Sequence, residues 1–449
     1  MLTSRTLKRL MLATLGALLL ALAAVATAGA AWKAPTYITP SFIPAETSAE
    51  VAMDANGDSY FTYALGDGRV QARKYTPTGA SAWTKTLTPR PANPEQEISG
   101  ELPNGAVNSA GDSAYVWLTS NNAGTRSILQ TRTLSRTGVL GQVKTVLDIG
   151  QSEGEVDLPE IAVDADGDAV VAWTQVSVTG AERGQVRARA LSKTGVLGPV
   201  QTISQDAAGA VAEFVQVDMR PNGDAVFAWS YSTPNADQIQ SRTRTAAGNL
   251  TPVRNISRLE STLPAFAMAP DGDAVVAWLY ADPFAGGLIV QTRRISATGT
   301  LGAIKNVSPR GAEAHDVHVG INDAGTIAVI WSQKDPISGK DQIKGRTLTP
   351  TDALNKVHDL VPNALESPTD PQVGISSAGQ VVFAWQFHAS NDRVQSKTLT
   401  PTGTLSSTKT VGTALSMGIE SHLAVAPSGQ AAATWADLDV KRLGAAFGP

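Results

Sequence analysis

Asp164, Asp166 and Asp168 stand in the run DADGD, an oxygen-bearing side chain at every second position just ahead of an apolar stretch. That spacing can bring carboxylates to one calcium ion, which takes several oxygen ligands. Close echoes of the run follow: RPNGDAVFAW at 220–229, APDGDAVVAW at 269–278 and ISSAGQVVFAW at 375–385. They do not keep the oxygens. Pro221 or Pro270 takes one position, and Ser377-Ala378-Gly379-Gln380 retains almost none. What persists is a glycine after a turn-prone residue, the signature of a tight hairpin with φ > 0 and local side-chain caps. The run therefore reads as a turn. No bound metal or cofactor is expected, and Asp164, Asp166 and Asp168, with Asp54 to Asp58 beside them, are the only weak candidates for one.

Other chemistry is sparse. The chain has no cysteine, which removes disulfides, thiolate zinc sites and cysteine nucleophiles. The five histidines, His315, His318, His358, His388 and His422, are dispersed. His315 and His318 are three apart on a predicted strand and so on opposite faces, unsuited to one metal as they stand. No G-x-S-x-G, H-E-x-x-H or P-loop run occurs. A net charge of −4 leaves no basic footprint for nucleic acid.

Stepping along the 449 residues, the turn glycine recurs at Gly57, Gly111, Gly167, Gly223, Gly272, Gly325, Gly379 and Gly429. Six residues after each comes an aromatic: Tyr63, then Trp117, Trp173, Trp229, Trp278, Trp331, Trp385 and Trp435. A basic residue stands six before a second turn residue: Arg73, Arg132, Arg189, Arg242, Arg293, Arg346 and Lys397. Each unit reads as four strands, for which EIAVD (160–164), DAVVAW (168–173), QVRARAL (185–191) and PVQTIS (199–204) serve as strands a to d. Four short antiparallel strands per unit of about 50 residues predict β-propeller blades. The fold class is therefore all-β, a single eight-bladed propeller over residues 31–449. The last unit lacks strand d. The segment PTYIT (35–39) is expected to supply it beside residues 438–447 and so latch the ring.

A residue serving one ligand appears once, whereas one serving blade-on-blade packing appears in every blade. The tryptophans are accordingly assigned to the core. The strand c basic residues are expected to stack on them across the blade interfaces.

The glutamates have no turn role, yet all fourteen fall at the end of the blades that carries the b–c turns and d–a crossings, or just inside strand a. Glu101, Glu155, Glu213, Glu260, Glu313, Glu366 and Glu420 are the ligand-binding candidates, an acidic mouth for cations or for a cationic or polyhydroxyl ligand. Ion pairs with the strand c bases are the alternative use for them. Tyr231, Tyr280, Phe284, Phe387 and His388 are expected in b–c turns just beyond the tryptophans and join the candidates. No catalytic residue is assigned.

Arg5, Lys8 and Arg9, an apolar stretch from Leu10 to Ala24 and the small-residue run 26–31 read as a secretory signal over residues 1–30, cleaved after Ala28 or Ala30. An uncleaved anchor is the competing reading. No later hydrophobic run is long enough to span a membrane, so the mature chain is expected to be extracellular and monomeric, without a membrane span.

Through the pattern GDAVVAW…R.L…TG.LG…IS, over nearly all of 35–449, the units resemble blades of the secreted repeat-type β-propellers of bacteria, a family of unassigned function. The resemblance implies architecture and no activity. The tryptophan lies six beyond the glycine rather than three, which separates these turns from the sialidase Asp box. The function expected is a binding or scaffold propeller engaging a ligand or protein, with carbohydrate among the candidates, through its Glu-rich face, leaning away from an enzyme. The alternatives are a polysaccharide-active hydrolase or lyase using rim carboxylates, and a purely structural surface protein.

Overall fold

The computed structural model describes residues 31–40, 49–88, 99–120, 126–150, 153–177, 183–205, 207, 209–284, 286–361 and 367–448. The expected signal segment and Glu366 lie outside the described residues. Among the described residues there is no helix, and so none long and apolar enough to cross a membrane.

Eight antiparallel four-stranded meanders follow one another. Blade 3 is representative, with strand a at Glu155–Val163, b at Ala169–Ser177, c at Arg183–Leu191 and d at Leu197–Thr202. Its register pairs Val171 with Ile161 on one side and Arg189 on the other. Blades 3 and 4 touch through one parallel bridge, Gly184 to Val211. A side chain at Gly184 would collide with the Val211 side chain and the Ala212 carbonyl.

The a–b turns are tight. Gly167 has φ +88° and its seven counterparts lie between +76° and +96°, a region that glycine enters without steric cost. Asp164 Oδ1 accepts the amides of Asp166 (3.0 Å) and Asp168 (2.9 Å), and Asp168 Oδ1 accepts the amide of Lys193 in the neighbouring c–d turn. Asn108 and Asn322 cap their own turns in the same way. Asp164 and Asp168 thus each spend an oxygen on backbone amides, while Asp166 stands exposed.

The ring closes through the N-terminus. Blade 8 has strand a at Met417–Val425, b at Ala431–Asp437 and c at Arg442–Gly448, and its outer strand is Thr36–Tyr37. Thr36 pairs with Ala445 and Tyr37 with Gly444, and the amide of Ile38 donates to Leu443 O at 2.8 Å. A strand from the far end of the chain removes the edge that an open last blade would expose.

Eight apolar clusters form the core, one at each blade interface. Trp173 packs on Val116, Leu129 and Val146 of blade 2, and Trp229 packs on Val170, Val186 and Ile203 of blade 3. Each repeat tryptophan is fully or almost fully buried. An indole burying roughly 200 Å² contributes at most about 5 kcal/mol by area, so the aromatic sets the blade spacing.

The strand c bases do not stack on these rings. Arg189 Nε donates to Gly198 O in its own blade (2.7 Å), and Nη1 donates to Val146 O in the preceding blade (2.7 Å). Arg132 repeats this with Gly141 and Leu87, Arg242 with Thr251 and Ile203, Arg293 with Gly302 and Ile256, and Arg346 with Asn355 and Val307. Lys397 reaches Leu360 O, and Arg73 reaches Ile38 O across the seam. The contact is interblade as expected, but its target is the backbone. Carbonyls along the outer strands need partners, and a guanidinium fork can satisfy two at once. Among the described residues the cation–π contacts that form, Arg73 over Tyr75, Lys74 over Tyr60, Arg393 over Phe387 and Arg442 over Tyr37, involve no repeat tryptophan.

Candidate functional site at the lumen mouth

The a strands surround the axis of the ring. In blades 2 to 8 each carries a register shift, a β-bulge, at or beside the b-strand tryptophan; in blades 2 to 5 and 7 two residues, Leu158 and Pro159 for instance, face the tryptophan where one would suffice. In blades 2 to 7 the residue nine before the turn glycine takes a left-handed φ of 46–53°: Leu102, Leu158, Phe214, Leu263, Asp316 and Asp370. Such a φ costs about 1–3 kcal/mol for a non-glycine residue. Glu420 is the counterpart in blade 8.

These positions form one ring at the end of the lumen where the d–a crossings and b–c turns gather. Its composition is two-sided. Leu102 is 46% exposed, Leu158 37% and Leu263 43%, with half-buried Phe214 between the last two. Across the axis stand Asp316 and Glu420, both exposed, with Asp370 between them. Asp370 Oδ2 accepts the Ser421 hydroxyl (2.6 Å) and Oδ1 accepts the Gln372 amide (2.9 Å).

Two residues further along strand a comes a second ring: Glu50, Asn104, Glu160, Gln216, Ala265, His318, Gln372 and His422. Asn104 donates to Glu160 at 3.0 Å and Gln216 donates at 3.4 Å. His422 Nδ1 meets Glu50 Oε2 at 3.3 Å across the seam. Burial pushes the Glu160 carboxyl up to about 8, with the charge of Glu50 adding to the effect and the two amides opposing it. Desolvation within the crowded lumen lowers the His318 imidazole, which still has surface open to the lumen, with His422 adding to the effect and Asp370 opposing it. One step deeper, burial raises Asp218 to about 6. Among the described residues no three histidine, aspartate or glutamate side chains are grouped to hold a metal ion.

Of the glutamates singled out from sequence, Glu155, Glu260, Glu313 and Glu420 are exposed. Glu213 is half-buried, its carboxyl raised by burial and by Asp237 and Asp157. Glu101 lies on the inner strand of blade 2, and its side chain is outside the described set. The strand c bases are committed to carbonyls and so do not neutralise this face. Tyr231 and Phe387 are buried rather than displayed, because strand b continues past the tryptophan before turning. Tyr280 packs partly against the interface of blades 4 and 5. His388 contacts Asp392 at 3.2 Å. Burial opposes ionisation of Asp392, but the Met417 and Ala389 amides and His388 hold its carboxyl below the usual range.

Phe284 alone among those aromatics is fully displayed, at 85% exposure. Ile337, in the equivalent turn of the next blade, is 95% exposed. Both follow an Asp-Pro pair. Asp282 Oδ1 accepts the Phe284 amide, and Asp335 Oδ1 accepts those of Ile337 and Ser338. The bulge ring and Ile337 went unmarked in the sequence reading, although Leu-Pro at 102–103, 158–159 and 263–264 marks the bulge in three blades.

No protein-family model matches the chain, and no curated protein does. Solved structures share its shape at very low identity. Prolyl oligopeptidase B from Galerina marginata is 9% identical with a TM-score of 0.50, covering 88% of this chain and 55% of its own. The WD40 domain of SCAP from fission yeast is 9% identical with a TM-score of 0.48, covering 93% and 98%. The polysaccharide lyase Uly1 is 9% identical with a TM-score of 0.47, covering 80% and 96%. The likeness is one of fold alone.

Proposed function

We propose that the chain is a secreted propeller of the bacterial repeat type that binds an extracellular protein partner through the face bearing the d–a crossings and b–c turns. The observation that carries this reading is the placement of exposed apolar side chains. Phe284, Ile337, Leu259, Leu415 and Val440 all stand in loops of that face, with the lumen-mouth leucines inside them. The opposite face has Val139, Val196 and Leu354. Apolar anchors on rigid turns, rimmed by charge, are what a protein interface requires. The glutamates of the same face bias it towards a basic partner.

The test is photocrosslinking in the cells that secrete the protein. A photoreactive phenylalanine at position 284 or 337 is expected to trap a discrete species that the same probe at 139 or 196 does not. Equal trapping from both faces, or none from either, rejects the reading.

A second reading has one observation behind it. A lumenal carboxyl raised to about 8, such as Glu160, is protonated at neutral pH and can serve as a general acid in polysaccharide cleavage. Cleavage of a polysaccharide panel by the chain, abolished by Glu160→Gln, would establish it.

A further inference from the structure

We propose that the lumen mouth receives an extended segment of the protein partner in which apolar residues alternate with lysine or arginine. Its apolar side chains would lie on Leu102, Leu158, Phe214 and Leu263, and its cations would point towards Asp316 and Glu420. This inference rests on the protein-binding reading and assigns the chemistry of what enters the ring.

Three observations converge on it. The first is the break in symmetry. Glycine, tryptophan and the strand c base repeat from blade to blade because every interface is alike. At the bulge, blades 2 to 5 carry Leu, Leu, Phe and Leu, whereas blades 6 to 8 carry Asp, Asp and Glu. In an eight-membered ring blade n faces blade n+4, so Leu102 looks across at Asp316 and Phe214 at Glu420. The second is exposure. The leucines sit on a strained backbone and still remain open to the lumen, where isolated packing would have hidden them. The third is charge. From twelve to seven residues before the turn glycine no blade carries lysine or arginine, while acids occur there in all eight blades. A lumen with low-dielectric walls and one sign of charge concentrates cations. An anionic or purely polar segment would leave the leucine arc uncovered or meet repulsion.

The experiment titrates three synthetic peptides into the secreted chain by calorimetry at low salt: alternating Leu-Lys, alternating Leu-Glu and alternating Ser-Lys. The Leu-Lys peptide is expected to bind at one site. Leu158→Ser with Leu263→Ser, and separately Asp316→Asn with Glu420→Gln, are each expected to weaken it at least tenfold. These substitutions touch exposed side chains, so unchanged tryptophan fluorescence confirms the fold. Binding of Leu-Glu as tightly as Leu-Lys, an affinity indifferent to both double variants, or no binding of Leu-Lys overturns the proposal. Persistent crosslinking at position 284 with no peptide in the lumen would sink this inference alone. Lumenal binding without crosslinking would sink the protein-partner reading instead.

Discussion

The indole Nε1 of Trp32 donates to the hydroxyl of Ser396 at 2.7 Å, tying the start of the described chain to strand c of blade 7. The position that holds arginine or lysine in blades 1 to 7 is Ala446 in blade 8. Trp32 packs on Ala446, Val411 and Trp435, and so covers the one interface without a basic bridge. The N-terminal segment therefore supplies blade 8 with both an outer strand and a substitute for its missing arginine.

Trp32→Ala is expected to lower unfolding stability by about 2 kcal/mol, through lost burial and a vacated contact at the seam. Trp32→Phe should recover most of the packing and lose the hydrogen bond. Urea midpoints of the three proteins check this. No change in Trp32→Ala would mean that the seam is held by Thr36 to Ile38 alone.

Arg189→Ala leaves the carbonyls of Val146 and Gly198 without their charged donor, at a cost of about 2–3 kcal/mol. Arg189→Lys should fall between, since the lysine at 397 reaches one carbonyl of the preceding blade. A lysine variant as unstable as the alanine one would contradict the backbone-bridge role.

Glu160 supplies a pH signature. Its carboxyl is raised to about 8 in the folded chain and ionises near 4.5 when unfolded. Between those values the folded state holds a proton that the unfolded state has released, so stability falls as pH rises from 4.5 to 8. The side chain is only half-buried, and solvent screening reduces the effect to about 2 kcal/mol. Glu160→Gln should flatten that slope, change little at pH 5 and stabilise at pH 8. Thermal unfolding across this range decides the matter.

Asp164→Asn should be nearly neutral, because Asn108 and Asn322 already cap the same turn in blades 2 and 6. Asp164→Ala should cost about 1–2 kcal/mol for the lost cap. A chelator should leave the melting temperature of the wild-type chain unchanged. A fall on chelation would restore a cation to this turn.

How far the architecture could be read ahead depended on repetition. Trp173, Trp229 and their counterparts occupy one kind of interface, and a pattern that recurs names its own role. Arg189 was placed at the right interface with the wrong partner. Backbone carbonyls carry no sequence mark, so a guanidinium that serves them looks the same on paper as one that stacks on a ring. The bulge was missed for a related reason. Alternation assigns faces by counting in twos, and an extra residue such as Leu158 breaks the count without leaving a periodic trace.

What the chain by itself determined is the number of blades, the order of their strands and the latch at Thr36–Tyr37, because each follows from contacts that every blade must make again. Only the tertiary structure decided what faces the axis. Closure brings Leu102, Leu158, Phe214, Leu263, Asp316, Asp370 and Glu420 into one ring from positions about fifty residues apart, where no local pattern links them. Their shared surroundings, and with them the raised carboxyl of Glu160, exist only once the ring has shut.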